Sequence, residues 1–259
     1  MFPKLQYFLV RETGIAVKKQ WVSWTSINLF HPRARLYFGN WLPSGAYKEI
    51  FVQHRYRPPI PLPEGARIVD GGANIGISAL YFLTNFPKAR VEAYEASPAA
   101  FDLLHQTLNS LAIDRSHYKL INKALHTSDD PVGFFVVPDC ASALNASISG
   151  RDSLYRLGEK IKVEAIDFRK VLQEPVDFLK LDVEGHEYEL LDLAEVSPAS
   201  VRSMAVEFHD LKQNRQKFIS LINRFRDQGY IVESVTEEEI SLSDDDLFRD
   251  EVVLKVYAP

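Results

Sequence analysis

"ARIVDGGANIGISALYF", Ala66 to Phe82, is the stretch on which the fold turns. Ala66 to Val69 form a short apolar run that closes in Asp70, with Gly71 and Gly72 directly behind it. Gly76 follows, and a helical pattern begins there. The run reads as a buried strand and "NIGISALYFLTNF" as a helix packed on a sheet. Three glycines are more than a plain strand-to-helix corner needs, because glycine is required only where the backbone turns sharply or something comes close.

Outward from this corner the alternation continues. "ARVEAYEA" predicts a second strand. Ser97 caps the next helix, with Pro98 at its first position and Phe101, Leu104, Leu108 and Leu111 on one apolar face. "YKLINKAL" predicts a third strand, and "GFFVVPDCASALNASISG" an inserted hairpin with a polar loop. "KIKVEAI" alternates as a half-exposed strand, and Asp167 is placed to cap the short helix behind it. "VDFLKLD" predicts another buried strand, "EGHEYELLDLAEV" a helix and "VRSMAVEF" a further strand. Phe218, Leu221, Ile222 and Phe225 make one stripe of a helix stopped by Gly229, and "YIVESV" and "EVVLKVYAP" are closing strands. The fold class is therefore α/β, a doubly wound and mostly parallel sheet. Ligands of such sheets sit beyond the C-terminal strand ends, where strand order reverses.

The proline-rich "RPPIPLPEG", Arg57 to Gly65, can sustain neither a helix nor a central strand. It divides a small N-terminal extension, residues 1–65, from a main domain, 66–259. The extension is rich in aromatics (Trp21, Trp24, Tyr37, Phe38, Trp41, Tyr47, Phe51 and Tyr56) that are expected mainly to pack as core. It is also a candidate cap on the acceptor side, and Tyr56, next to the connector, is in reach of a cofactor. The 259 residues carry a net charge of -5 and no sustained basic stripe, which argues against a nucleic-acid partner. No apolar run approaches the roughly 20 residues of a membrane span, and the N-terminus has no signal-peptide pattern. Cys140 is the only cysteine, so disulfides within the chain and thiolate zinc sites are excluded. A cytoplasmic location is expected, and a homo-oligomer is left open.

The chemistry of the glycine turn follows from its charge. Ala73 breaks the glycine spacing of a dinucleotide fingerprint. The Asp70 carboxylate would face a pyrophosphate unfavourably, whereas it suits a phosphate-free, cationic ligand. S-adenosylmethionine is such a ligand, with its ammonium and sulfonium. Gly71 and Gly72 let the backbone come close to it, and Gly76 lets the helix sit tightly on the strand. Glu95 ends the second strand 25 positions after Asp70, near the spacing at which an acid accepts ribose hydroxyls.

"VDGGANIGISALYF", "VEAYEASPAAFDLL", "INKAL", "FLKLDVEGHEYELL" and "AVEFH", in this order, resemble the FkbM family of S-adenosylmethionine-dependent methyltransferases. The likeness covers Ala66 to His209 and is weaker in "SGAYKEIFVQHRY" upstream. It implies a class I methyltransferase fold and methyl transfer to oxygen on sugars or other hydroxylated natural products. It also implies that Asp70, Gly72 and Asn74 lie along the methionyl part of the cofactor and that Glu95, beside Ala96, takes the ribose. Asn122 or Ala124 would lie near the adenine. With Gly71, Gly76 and Asp182 these make the expected cofactor-binding set.

The catalytic candidates are the acids and histidines of "KLDVEGHE" and "VEFH". Asp182 ends its strand and is expected to point toward the methyl group, with Glu184 and His186 in the next turn and Glu207 and His209 at the end of the neighbouring strand. In one reading His209 or Asp182 is a general base oriented by Glu207 or Glu184. In the other, Asp182, Glu184, Glu207 and a histidine hold Mg²⁺ or a similar ion that polarises the acceptor hydroxyl; the first, metal-free reading is preferred. Glu187 is expected only to cap the following helix. Lys180, inside a buried strand, either pairs with Asp182 or another acid or extends its amine to solvent. "ASALNASISG" is a candidate lid. The expected activity is an S-adenosylmethionine-dependent O-methyltransferase acting on a hydroxyl of a small glycosylated or polyhydroxylated molecule. The alternative is a nicotinamide-dependent oxidoreductase on the same sheet.

Overall fold

Three short strands, β1 (Ala16–Lys18), β2 (Thr25–Asn28) and β3 (Arg35–Phe38), pair antiparallel in sequence order before the main domain begins. They belong to a computed structural model that describes residues 16–18, 25–28, 35–38, 44–110, 113–136, 159–235 and 251–259. The predicted lid, Cys140, Leu111 and the three tryptophans lie outside the described residues. Helix α1 (Ser44–Tyr47) continues into a π-helical turn, Lys48–Val52. Tyr47 and Phe51 stack there at 4.6 Å, and Tyr81 meets Phe51 edge-on. Tyr47 and Phe51 do pack into the core, as expected for aromatics of this segment, and Tyr56, singled out as in reach of a cofactor, joins the same cluster.

The main sheet then winds in two directions. From β4 (Arg67–Gly71) the chain passes through α2 (Ile77–Asn85), β5 (Arg90–Tyr94) and α3 (Pro98–Asn109) to β6 (Tyr118–Ile121). An excursion follows: β7 (Ala124–His126), β8 (Val132–Val136), β9 (Glu159–Val163), β10 (Ala165–Asp167) and α4 (Phe168–Val171). There β7 runs parallel to β10, and β8 pairs antiparallel with β9. The chain returns through β11 (Phe178–Leu181), α5 (Glu187–Leu193), β12 (Ser203–His209), α6 (Leu211–Asp227), β13 (Ile231–Ser234) and β14 (Glu251–Tyr257). The order across the sheet is β13-β14-β12-β11-β4-β5-β6. Strands β12, β11, β4, β5 and β6 are parallel, while β14 is antiparallel to both its neighbours. Strand order reverses between β4 and β11, which places the ligand crevice at their C-terminal ends.

Strands β4, β11 and β12 are buried along their whole length, as a sheet covered on both faces requires. Ile68 and Val69, adjacent in β4, face opposite sides and enter two separate apolar clusters, one beneath α2 and α3 and one beneath α5 and α6. The caps expected from sequence are present: Ser97 accepts from Ala100 N and Asp167 from Arg169 N. Two expectations change. "YKLINKAL" is two strands, because Asn122 leaves the ladder to donate its side-chain amide to the Glu95 and Ala96 carbonyls. Gly76 has φ 94°, and a β-carbon there would press on Leu104 Cδ1 at 2.8 Å. Its small size serves contact between α2 and α3, not contact with a strand.

Gly72 is the tightest point of the corner. Its φ is 75°, and a β-carbon there would collide with the Asp182 carbonyl oxygen. Gly72→Ala is expected to cost more than about 3 kcal/mol through backbone strain plus overpacking. For a chain of this size that is a fall in Tm of roughly 6 °C or more. A variant melting within about 2 °C of the parent would show that the corner relaxes freely.

Candidate active site

Two clefts meet at the reversal of strand order. The first is lined by Gly72, Asn74, Glu95, Ala96, Ala124 and Asp182 against an apolar wall of Leu125 and Phe134. The second is lined by Tyr56, Lys180, Asp182, Glu184, Glu207 and His209, with Glu49 and Glu251 at its sides. Gly72, Asn74, Asp182 and Glu184 border both.

At the floor of the first cleft, both Glu95 oxygens are oriented by backbone donors: Asn74 N to Oε2 at 2.8 Å and Ser97 N to Oε1 at 2.7 Å. Each oxygen retains a lone pair for a further donor. Burial pushes this carboxyl up to about 7, against the two N–H donors that favour its charged form.

Asp70, Gly71, Gly76 and Asn122 border neither cleft. Asp70, expected at the mouth of the turn, is wholly buried, with Ser78 Oγ donating to Oδ2 at 2.6 Å. It braces the inside of the corner and borders neither cleft. Gly71 is small because Leu125 and Leu181 crowd its position, and Asn122 ties the end of β5.

Lys180 takes the paired alternative. It is 2% exposed, and its Nζ donates to the Gly71 and Gly72 carbonyls at 3.1 and 2.6 Å. It lies 3.5 Å from Asp70 Oδ1 and 3.4 Å from Asp182 Oδ2. Burial alone would lower its pKa, but Asp182 and Asp70 outweigh that and raise it, so the amine stays charged.

Period-two geometry sets the rest. Lys180 and Asp182 leave β11 on one side, and Glu207 and His209 leave β12 on the same side, while Phe208 between them packs on Phe218. The Tyr56 hydroxyl bridges the two strands, touching Glu207 Oε2 and reaching Asp182 Oδ2 at 3.1 Å. Arg55 donates to Glu207 Oε1 at 2.7 Å and to Glu49 at 2.7 Å. Burial and the neighbouring Asp182 charge push Glu207 up to about 7. Asp182 moves the other way: burial is outweighed by Lys180, His209 and Tyr56, which hold it below its usual value.

His209 is oriented by Glu187, not by Glu207 or Glu184. Its Nδ1 is 3.1 Å from the wholly buried Glu187, which also accepts from Val183 N and Gly185 N at 3.0 Å. The sequence reading that reduced Glu187 to a helix cap missed this. Nε2 lies 3.9, 3.8 and 3.9 Å from Asp182, Glu184 and Glu207, beyond hydrogen-bond range. Burial would depress this imidazole, yet Glu187 and the surrounding carboxylates raise it to about 10. It therefore carries its proton at neutral pH, and the expected base role does not fit it in this arrangement. His186 borders neither cleft and instead meets His126 at 2.9 Å.

Among the described residues, Asp182, Glu187 and His209, or Glu207, His209 and Glu251, come close enough to share an ion. The quartet considered from sequence is not assembled as one ligand set. No helix among the described residues is long and apolar enough to cross a membrane.

This sheet order, with its crevice at the β4–β11 reversal, defines a class I methyltransferase fold. The family model of the methyltransferase FkbM domain matches residues 70–232, and the chain belongs to the FkbM methyltransferase family. It is 28% identical over 214 residues to methyltransferase sdnD of Sordaria araneosa, covering 71% of this chain and 80% of that protein. It is 29% identical over 201 residues to the AMB antimetabolite synthetase AmbE of Pseudomonas aeruginosa, covering 63% of this chain and 9% of that protein. A crystal structure of an FkbM methyltransferase from Methylobacillus flagellatus shares the fold, with a TM-score of 0.52 and 15% identity. It covers 82% of this chain and 48% of the other. None of these findings supports the nicotinamide alternative.

The His209 shift has a consequence for stability. Its folded pKa of about 10 lies above the unfolded 6.5, so its contribution is complete below pH 6.5 and is lost as pH rises through 10. Chemical denaturation should therefore find His209→Gln less stable than the parent at pH 6.5, by roughly 2–4 kcal/mol. The gap should narrow steadily toward pH 10. A gap independent of pH would refute the imidazolium assignment.

Proposed function

We propose that this protein is an S-adenosylmethionine-dependent O-methyltransferase acting on a hydroxyl of a small glycosylated or polyhydroxylated molecule. One observation carries the reading: a cleft with a carboxylate at its floor opens into a second, polar cleft across a wall formed by Asp182 and Gly72. The residues fit the cofactor. Glu95 has spare acceptor capacity for ribose hydroxyls, Leu125 and Phe134 offer apolar surface to a base near Ala96 and Ala124, and Gly72 and Asn74 border the methionyl end. When bound, the cofactor supplies an electrophilic methyl group on a cationic sulfur.

The chain's own groups align the acceptor and take its proton. Asp182, held ionised by Lys180 and facing both clefts, is the group placed to accept a hydroxyl proton. Glu207 adds a second carboxylate that takes up or releases a proton near neutrality. Positioning contributes as much as proton removal, because acceptor oxygen, methyl carbon and sulfur must fall in line. The domain from residue 66 holds the cofactor, and the extension up to 65 forms acceptor-side wall through Glu49, Ile50 and Tyr56. The carboxylates of the second cleft disfavour a phosphate backbone. A relative named as an antimetabolite synthetase agrees with a natural-product acceptor.

Titration calorimetry should show binding of S-adenosylhomocysteine and none of NAD; heat with NAD alone would end this reading. Glu95→Ala should weaken S-adenosylhomocysteine binding by about tenfold or more, since the carboxylate offers charge-assisted bonds. Glu207→Gln should keep that affinity within about threefold and lower turnover of labelled methyl groups by roughly 10²–10⁴. Full turnover in the glutamine variant would remove Glu207 from the proton path.

A further inference from the structure

Two residues of the candidate site lie upstream of the 70–232 family match, in the turn after the π-helical segment. Tyr56 is 4% exposed, and its hydroxyl sits between Asp182 and Glu207, from two different strands. Arg55, beside it, clamps Glu207 to Glu49 at 2.7 Å on each arm and comes within 3.7 Å of Glu251. The turn is held under strain: His54 has φ 55°, and its ring meets the Tyr81 hydroxyl of α2 at 3.3 Å. A non-glycine residue in this region costs on the order of 1 kcal/mol and persists where the surroundings enforce it. Here the enforced conformation directs Arg55 and Tyr56 at the carboxylates.

We propose that Tyr56 is a positioning residue of the reaction: its single hydroxyl proton, aimed by the Arg55 turn, binds Asp182 and Glu207 into one pair that accepts the acceptor's proton. The inference rests on the methyltransferase reading above. For each methyl group the acceptor oxygen gains, it releases one proton, and the pair takes that proton before passing it to solvent. A hydroxyl that donates to carboxylates stabilises their charged forms. Without it, two buried carboxylates face each other unbridged and bind a proton more tightly. The other groups facing the pair are Lys180 at 3.4 Å from Asp182 and the His209 ring at 3.9 Å from both. Behind these stand Asp70 on Lys180 and Glu184 and Glu187 on His209. None is altered by changing tyrosine to phenylalanine.

The decisive experiment compares the parent with Tyr56→Phe in two readouts. The first is the pH profile of kcat/KM for labelled methyl transfer into cell extract. Its acidic limb should move up by about one pH unit in the variant, with S-adenosylhomocysteine affinity unchanged within about threefold. An unmoved limb would overturn the proposal even if kcat fell, because a merely structural tyrosine lowers rate without moving ionisation. The second readout needs no acceptor: the infrared carboxyl band, followed from pH 5 to 9, should show its midpoint rise in the variant, and an unchanged midpoint would overturn the proposal. If the parent transfers no methyl group, the methyltransferase reading fails, and the infrared titration alone decides the role of Tyr56. Should Tyr56→Phe not fold, Arg55→Gln supplies the same test, since loss of the guanidinium beside Glu207 must also raise the midpoint.

Discussion

Strand β11 carries a lysine into a part of the sheet without solvent, and its ammonium lies under the turn that follows β4. Lys180 there ties together the Gly71 and Gly72 carbonyls, Asp70 and Asp182. A charge sealed in this way is tolerated only when it is paired and hydrogen-bonded, and removing it strands the carboxylates it neutralises. The same amine holds the Gly72 carbonyl at the point where Gly72 closes on the Asp182 carbonyl. The two clefts thus meet beside one buried ammonium that is held by residues bordering both.

The strand–turn–helix at Ala66–Phe82 was legible because its apolar run is short and its glycines mark the turn. Alternation of elements then yielded the parallel sheet and the place of the crevice. Residue type could not say which way a buried side chain points. Asp70 looks like a ligand contact by position, yet it is fully enclosed and bonded to Ser78. Gly76 looks like a site glycine, yet its neighbour is Leu104. Both placements were hidden for one reason: a sequence orders residues along a strand but does not show which long-range neighbour fills the space beside them.

The contacts of Glu187 and Tyr56 went unseen for a related reason. Glu187 sits in a first helical turn, where acids are common, and only the fold brings His209 against it, 22 positions later. Tyr56 meets Glu207 across 151 positions. One local sign existed. K-x-D in β11 and E-x-H in β12 place both members of each pair on the same side of their strands. Two adjacent parallel strands ending that way put four ionisable groups at one crevice.

The electrostatic balance of that crevice fits the charge change of methyl transfer from a sulfonium. Lys180 and His209 are buried and already committed to carboxylates, so they leave little free positive charge to repel a cationic reagent. The remaining carboxylates favour its arrival. Charge on sulfur disappears as the methyl group moves, while a proton is released from the acceptor. A pair of unequal carboxylates answers both demands. Asp182, held low by Lys180, stays ionised, and Glu207, lifted by burial, can hold a proton near neutrality. The difference between them comes from where β11 and β12 end, so the sheet that builds the crevice also sets its two acids apart.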